Sequence, residues 1–254
     1  MTRITRIART IDIASKRLHV AILDILFPIQ CLGCKTAHTW LCDTCLLSIP
    51  VHSSHLCPQC KQSNTPYGQV CFSCIKTSSL DGILVASSYK QPLLAKAIHH
   101  FKYRFIPNLH IPLSKLLLHS IQHTEIPLPD MICPVPLHPL RLRWRGFNQS
   151  ELLAQELSSA LTPHLFIPII HQLIRHRFTA PQMSIRDARE RNLNLQDAFA
   201  WERPHEKNAV STSLANTYIW LVDDVATTGA TLNECARILK QNGAKKVFGI
   251  VLAR

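Results

Sequence analysis

The run Ile219-Trp220-Leu221-Val222-Asp223-Asp224-Val225-Ala226-Thr227-Thr228-Gly229-Ala230-Thr231 concentrates groups able to do chemistry. Apolar residues lead into two carboxylates, and a loop of threonines and one glycine follows. Backbone N–H groups of such a loop, at the positive end of the next helix, suit a phosphate. Gly229 lets the backbone approach an anion without a Cβ in the way. Asp223 and Asp224 would repel that anion, unless the ligand also carries hydroxyls that need acceptors, as a sugar phosphate does. A strand-ending acidic pair that caps a helix is the plainer alternative.

Cysteine supplies the second reactive set. Eight of the ten cysteines form four Cys-x-x-Cys pairs: Cys31/Cys34, Cys42/Cys45, Cys57/Cys60 and Cys71/Cys74. Each pair brings two thiolates to one metal through a tight turn, and two pairs complete a tetrahedral Cys₄ shell. Four filled positions leave none for a water, so two structural Zn²⁺ sites are expected. Gly33 and Pro58 fit such knuckles. Consecutive pairing groups Cys31, Cys34, Cys42 and Cys45 apart from Cys57, Cys60, Cys71 and Cys74; a cross-braced alternation satisfies the spacing as well. The competing reading is a disulfide framework, which fits poorly with an N-terminal segment lacking signal-peptide features. So short a segment has little core of its own, and metal would supply much of its folding energy. Cys133 and Cys235 stand outside the pattern and read as buried thiols.

These groups need a frame to position them. The apolar run before Asp223 reads as a buried parallel strand, followed by a helix from Leu232 to Gln241 that Asn242-Gly243 ends. Leu80–Tyr89 reads as another strand, Pro92–Phe101 and Leu113–His123 as helices, and Met131–Pro136 as a strand end. Asn148 and Glu151 have capping-box spacing ahead of an amphipathic helix. Lys246–Leu252 reads as a final buried strand. The fold class is therefore α/β, a parallel sheet flanked by helices, with ligands expected at the C-terminal edge of the strands.

At 254 residues the chain allows one large domain or a medium one with an appendage. The net charge of +12 points to nucleic acid, anionic lipid or polyphosphate, without choosing among them. Arg141, Arg143 and Arg145 lie on the segment joining Pro136 to Asn148, read here as a connecting loop: a basic surface or a polyanion clamp. Between His171 and Phe199, Arg175, Arg177, Arg186, Arg189 and Arg191 lie among Thr179, Gln182 and Asn192, as in a lid or an exposed nucleic-acid face. Phe101, Tyr103, Trp144 and Phe147 are candidates for base stacking, with core packing as the alternative for each. Residues 1–27 read as an amphipathic helix docked on the body, a peripheral membrane contact being the alternative. No run approaches the ~20 apolar residues of a transmembrane helix.

The Asp223–Thr231 stretch resembles the phosphoribosyl pyrophosphate (PRPP) signature of type I phosphoribosyltransferases. Further motifs extend the likeness: Pro134-Val135-Pro136-Leu137, Arg145-Gly146-Phe147-Asn148-Gln149, Thr179-x-x-Gln182 with Arg189-x-x-Asn192, Ala198-Phe199, the Phe101-Lys102-Tyr103 step and the cysteine block. Together they are similar to the ComF/ComFC family of natural transformation. The resemblance implies a type I phosphoribosyltransferase-like fold behind an N-terminal double zinc ribbon, divided as 1–27, 28–79 and 80–254. It implies ribose binding by Asp223 and Asp224, and phosphate binding by Thr227, Thr228, Gly229, Ala230 and Thr231. Leu137, His138, Arg141 and Arg145 become pyrophosphate-loop candidates, with Arg189 in a hood. It implies PRPP with Mg²⁺ as ligand, single-stranded DNA and other DNA-uptake proteins as partners, and a cytoplasmic location. Type I folds include regulators that keep the signature, so turnover does not follow from it. The alternative is an active phosphoribosyltransferase acting on an unidentified base or amine, independent of DNA.

Overall fold

A computed structural model of the chain describes residues 28–52, 55–162, 166–178, 197–202 and 213–254. The helix expected over residues 1–27, and Arg189 with Thr179, Gln182 and Asn192, lie outside the described residues. In chain order the elements are α1 (Asp43–Leu47), β1 (Gly82–Ser87), α2 (Pro92–Tyr103), α3 (His110–Gln122), β2 (Met131–Pro134), α4 (Pro139–Arg145) and α5 (Gln149–Ala160). Then follow β3 (Leu173–Arg175), β4 (Phe199–Trp201), β5 (Tyr218–Val225), α6 (Ala230–Gln241) and β6 (Lys246–Ala253).

Four strands form a parallel sheet in the order β1-β6-β5-β2, while β3 and β4 pair antiparallel as a separate ribbon. The strand expected as the last, β6, is thus interior: Trp220 of β5 faces Phe248, and Gly82 of β1 faces the same residue from the other side. Near-continuous apolar sequence suits a strand covered on both faces. Alternate residues divide between two cores, as a period of two requires. Trp220, Val222, Phe248, Ile250 and Leu252 pack with α2, α3 and α5. Ile219, Leu221, Val247 and Val251 pack with α6 and the β3–β4 ribbon. Trp220 is fully buried, and its indole N–H is satisfied by the carbonyl of Pro127 at 3.1 Å.

The first cysteine unit shares this core. Cys31, Leu32, Leu41, Leu46 and Ile49 belong to the same apolar cluster as Leu94, Leu113 and Trp220. Lys96 of α2 reinforces the contact by donating to the carbonyl of Leu32 at 2.9 Å.

Two expectations need correction. The segment between Pro136 and Asn148 is not simply a loop, because it contains α4. Pro139 opens that helix, His138 caps it, and Gly146, at φ +81°, ends it in the left-handed region. No residue of α4 is buried, so it has no apolar stripe from which periodicity could reveal it. Phe101 is fully buried and Phe147 packs on it with ring centroids 5.6 Å apart, so both serve the core rather than stacking on bases. Among the described residues no helix is long and apolar enough to cross a membrane.

Candidate ligand site and metal centres

The acidic pair stands at the C-terminal end of β5, where α2 and α5 converge on it. From α2, the Lys102 ammonium lies 2.8 Å from Asp224 Oδ1, with Asp224 only 7% exposed. From α5, the Ser150 hydroxyl donates to Asp223 Oδ1 at 3.0 Å. The Asp224 backbone N–H donates to the same oxygen at 2.9 Å. Asn148 ties the start of α5 to the end of β2: its Oδ1 accepts from the Ser150 N–H at 3.2 Å, and its Nδ2 donates to the Val135 carbonyl at 3.1 Å. The other half of the expected capping box is absent among the contacts of Glu151, which accepts from Gln155 and pairs with His171.

Electrostatics separate the two carboxyls. Burial, then the neighbouring Asp224 charge, push Asp223 up to about 7, while Lys102 and Ser150 pull it back. Burial works against the Lys102 ammonium, but Asp224 outweighs it, so Lys102 stays raised and charged. Asp223 thus keeps its proton to higher pH than an ordinary carboxyl, while the Lys102 ammonium sits against Asp224.

Beyond the pair the loop turns into α6. Gly229, at φ +84°, is the cap residue, and a Cβ there would sit 3.2 Å from Ile83 Cδ1, so both conformation and space favour glycine. The Thr228 hydroxyl accepts from the Ala230 N–H at 3.3 Å. Thr227 is exposed, and Thr228, Ala230 and Thr231 are partly buried. Loop, acidic pair and the α4–α5 junction therefore occupy one sheet edge, as Asp223, Asp224 and Thr227–Thr231 were expected to do.

The other candidates are placed less directly. Leu137 and His138 lead into α4, where His138 Nδ1 accepts from the Leu140 N–H at 3.2 Å. The Arg145 guanidinium donates to Gln149 Oε1 at 2.7 Å and lies 5.8 Å from the Tyr103 ring centre. Arg141 lies 5.4 Å from the ring centre of Phe178. Arg175, read only as one member of a basic excursion, is buried on β3 with its guanidinium 5.3 Å from the Phe199 ring. Burial and then the Arg141 charge lower its pKa, while the charges of Cys235 and Asp223 work the other way. Lys102 also went unassigned, because nothing in sequence links it to a carboxylate so distant along the chain.

The eight cysteines gather as two sets, Cys31, Cys34, Cys42 and Cys45, and Cys57, Cys60, Cys71 and Cys74, each with its sulfurs within 4.8 Å of one another. Consecutive pairing is therefore the arrangement adopted. Backbone N–H groups of Cys42 and Cys71 each point at a sulfur, of Cys31 and Cys57 respectively, at 3.4 Å. Backbone donors at Ser63 and Gln62 lower Cys60 to about 6, whereas the crowding of Cys42 and Cys34 raises Cys45 to about 12. Four sulfurs this close cannot all ionise unaided, and a divalent ion supplies the missing charge. The residues fit Zn²⁺. A Cβ at Gly33 would lie 2.7 Å from Cys45 Sγ, so the first knuckle admits no side chain there.

Comparison with known proteins places these features in context. A family model described as a double zinc ribbon domain matches residues 22–75. Competence protein F of Haemophilus influenzae is similar at 31% identity over 245 residues, covering 90% of this chain and 98% of that protein. The DNA utilization protein YhgH of Escherichia coli is similar at 35% identity, covering 83% of this chain and 88% of its own. Among solved structures, glutamine PRPP amidotransferase of B. subtilis overlaps 60% of this chain and 30% of its own, with 16% identity and a TM-score of 0.38.

Proposed function

Because the chain belongs to the ComF family, with competence protein F and the DNA utilization protein YhgH, we propose that it binds PRPP with Mg²⁺ and handles single-stranded DNA in the cytoplasm. Residues 80–254 would hold the nucleotide precursor, and the ribbon over 28–79 would work with the basic surface on the strand. The observation that carries the first part is the convergence of Lys102, Ser150, Asp223 and Asp224 beside the loop into α6. Asp223 and Asp224 would accept from the ribose 2′ and 3′ hydroxyls, and the N–H groups from Thr227 to Thr231 would receive the 5′-phosphate. The carboxylates and the phosphates of the ligand are the oxygen donors that Mg²⁺ prefers. Leu137, His138, Arg141 and Arg145, with Arg175 behind them and Arg189 from the hood, would surround the pyrophosphate.

The DNA part rests on α4 and its neighbours. Trp144 is 62% exposed and meets the exposed Phe105 edge to face, with centroids 5.0 Å apart. Tyr103 and Phe178 lie beside Arg145 and Arg141. Exposed aromatics interleaved with guanidinium groups are what unpaired bases and their phosphates require. Phe72, between Cys71 and Cys74 and 94% exposed, adds an aromatic tip on the ribbon.

The test is calorimetric titration of zinc-loaded protein with PRPP and Mg²⁺, for the wild type and for Asp223→Ala with Asp224→Ala. Binding lost in a folded double variant of unchanged zinc content supports the site, and unaltered affinity removes it. Release of pyrophosphate on addition of bases or amines would move the reading to an active phosphoribosyltransferase.

A further inference from the structure

The geometry points to Arg254 as a positioning residue that aims the anion-binding N–H groups of the loop and fastens them to the second cysteine knuckle. Its guanidinium donates from Nε to the Thr227 carbonyl at 3.3 Å and from Nη2 to the Thr228 carbonyl at 3.4 Å. The same Nη2 donates to the Pro58 carbonyl at 2.9 Å. Pro58 stands between Cys57 and Cys60, inside the Cys-x-x-Cys turn of the second metal set.

The planar trans peptide gives these contacts their consequence. In each peptide unit the C=O and the following N–H point in opposite directions. Holding the carbonyls of Thr227 and Thr228 toward Arg254 therefore turns the N–H groups of Thr228 and Gly229 the other way, toward the mouth of the loop. A loop this short has few dihedrals left to change once two peptide planes are fixed. The forked, permanently charged guanidinium suits the task, since it presents several donors in one plane.

A second bridge joins the same two regions. Asn233, in the first turns of α6, accepts at Oδ1 from the Ser79 N–H at 2.8 Å and from the Leu80 N–H at 3.3 Å. Those residues carry the chain from the second cysteine set into β1. Between the bridges lies a cavity of about 460 Å³, walled by Pro58, Gln59 and Lys61 on the ribbon side and by Thr228, Gly229 and Asn233 on the loop side. The knuckle and the loop thus face one another across open space, and Arg254 bonds a carbonyl on each side, that of Pro58 and that of Thr228. A metal ion that fixes the Cys57–Cys60 turn also fixes the Pro58 carbonyl, and through Arg254 the loop.

The part of this inference that concerns PRPP rests on the reading of the loop as its phosphate site, and the experiment separates the two. Hydrogen exchange by mass spectrometry is run on zinc-loaded full-length protein, wild type, Arg254→Met and Arg254→Lys, with and without PRPP and Mg²⁺. Without ligand, Arg254→Met is expected to speed exchange about tenfold in peptides covering residues 57–61 and 226–230, a local loss of the size that charged hydrogen bonds supply. Peptides over residues 31–45 stay unchanged, and Arg254→Lys, which keeps the charge without the fork, recovers only part. Unchanged exchange in either segment overturns the strut. With ligand, PRPP affinity falls about tenfold in Arg254→Met, and protection that wild-type residues 57–61 gain on binding is lost, as reciprocal coupling demands. A wild type that binds no PRPP removes the PRPP reading, while the ligand-free arm still decides on Arg254.

Discussion

Replacing Asp223 by asparagine should make the protein more stable and at the same time weaken the PRPP binding proposed above. An unfolded aspartate titrates near pH 3.9, whereas Asp223 is pushed up to about 7 by burial and by Asp224. Between those values the folded chain keeps a proton that the unfolded chain has released. Stability therefore falls as pH rises through that window, and levels off above it once both states are ionised. At about 1.4 kcal/mol per pH unit, the ionised carboxylate costs the fold roughly 2–4 kcal/mol at pH 8. Asparagine carries no such charge, and its Oδ1 still accepts from Ser150 and from the Asp224 N–H, the two bonds that fall on Asp223 Oδ1. Urea unfolding of zinc-loaded wild type and Asp223→Asn at pH 5.5 and pH 8 reads the difference. The variant is expected to be the more stable at pH 8, with a gap about 2 kcal/mol wider than at pH 5.5. Its PRPP affinity should fall at least about tenfold, the loss expected where a charged hydrogen-bond acceptor is removed. A gap that does not change with pH, or a wild type that is the more stable at pH 8, would refute the electrostatic account of the pair.

Lys102→Met should act with the opposite sign, since it leaves Asp224 buried and unpaired. A loss of about 2–3 kcal/mol is expected, largely recovered in Lys102→Met with Asp224→Asn; the same urea series checks it. Trp144→Ala should weaken single-stranded oligonucleotide binding roughly 5- to 100-fold without changing its salt dependence, as loss of one stacked base would. Arg143→Ala should instead flatten the slope of log affinity against log salt by about 0.7. Fluorescence anisotropy across a salt series distinguishes the two, and a Trp144→Ala variant that binds as wild type takes α4 out of the interface.

What could be read from sequence was local and periodic. The strand before Asp223, the turn at Gly229 and the helix after it follow one another along the chain, and so did their description. The Cys-x-x-Cys spacing announced metal knuckles, while their grouping into consecutive sets depended on distances between pairs that spacing does not encode. The helix α4 escaped because none of its residues is buried, leaving no apolar face to contrast with a polar one. Lys102 and Arg254 escaped for another reason. Their partners, Asp224 and Pro58, are far away in sequence, and only the closing of the sheet brings them together.

The interior place of β6 bears on how the protein is made. Strand β1 emerges from the ribosome early, yet its pairing partner in the sheet is synthesised roughly 160 residues later. Until then β1 and β5 each lack the neighbour that lies between them, and their apolar edges are open to other nascent chains. The cysteine sets, complete by residue 74, can take up metal while translation continues. Metal loading can thus precede closure of the sheet, which has to wait for β6.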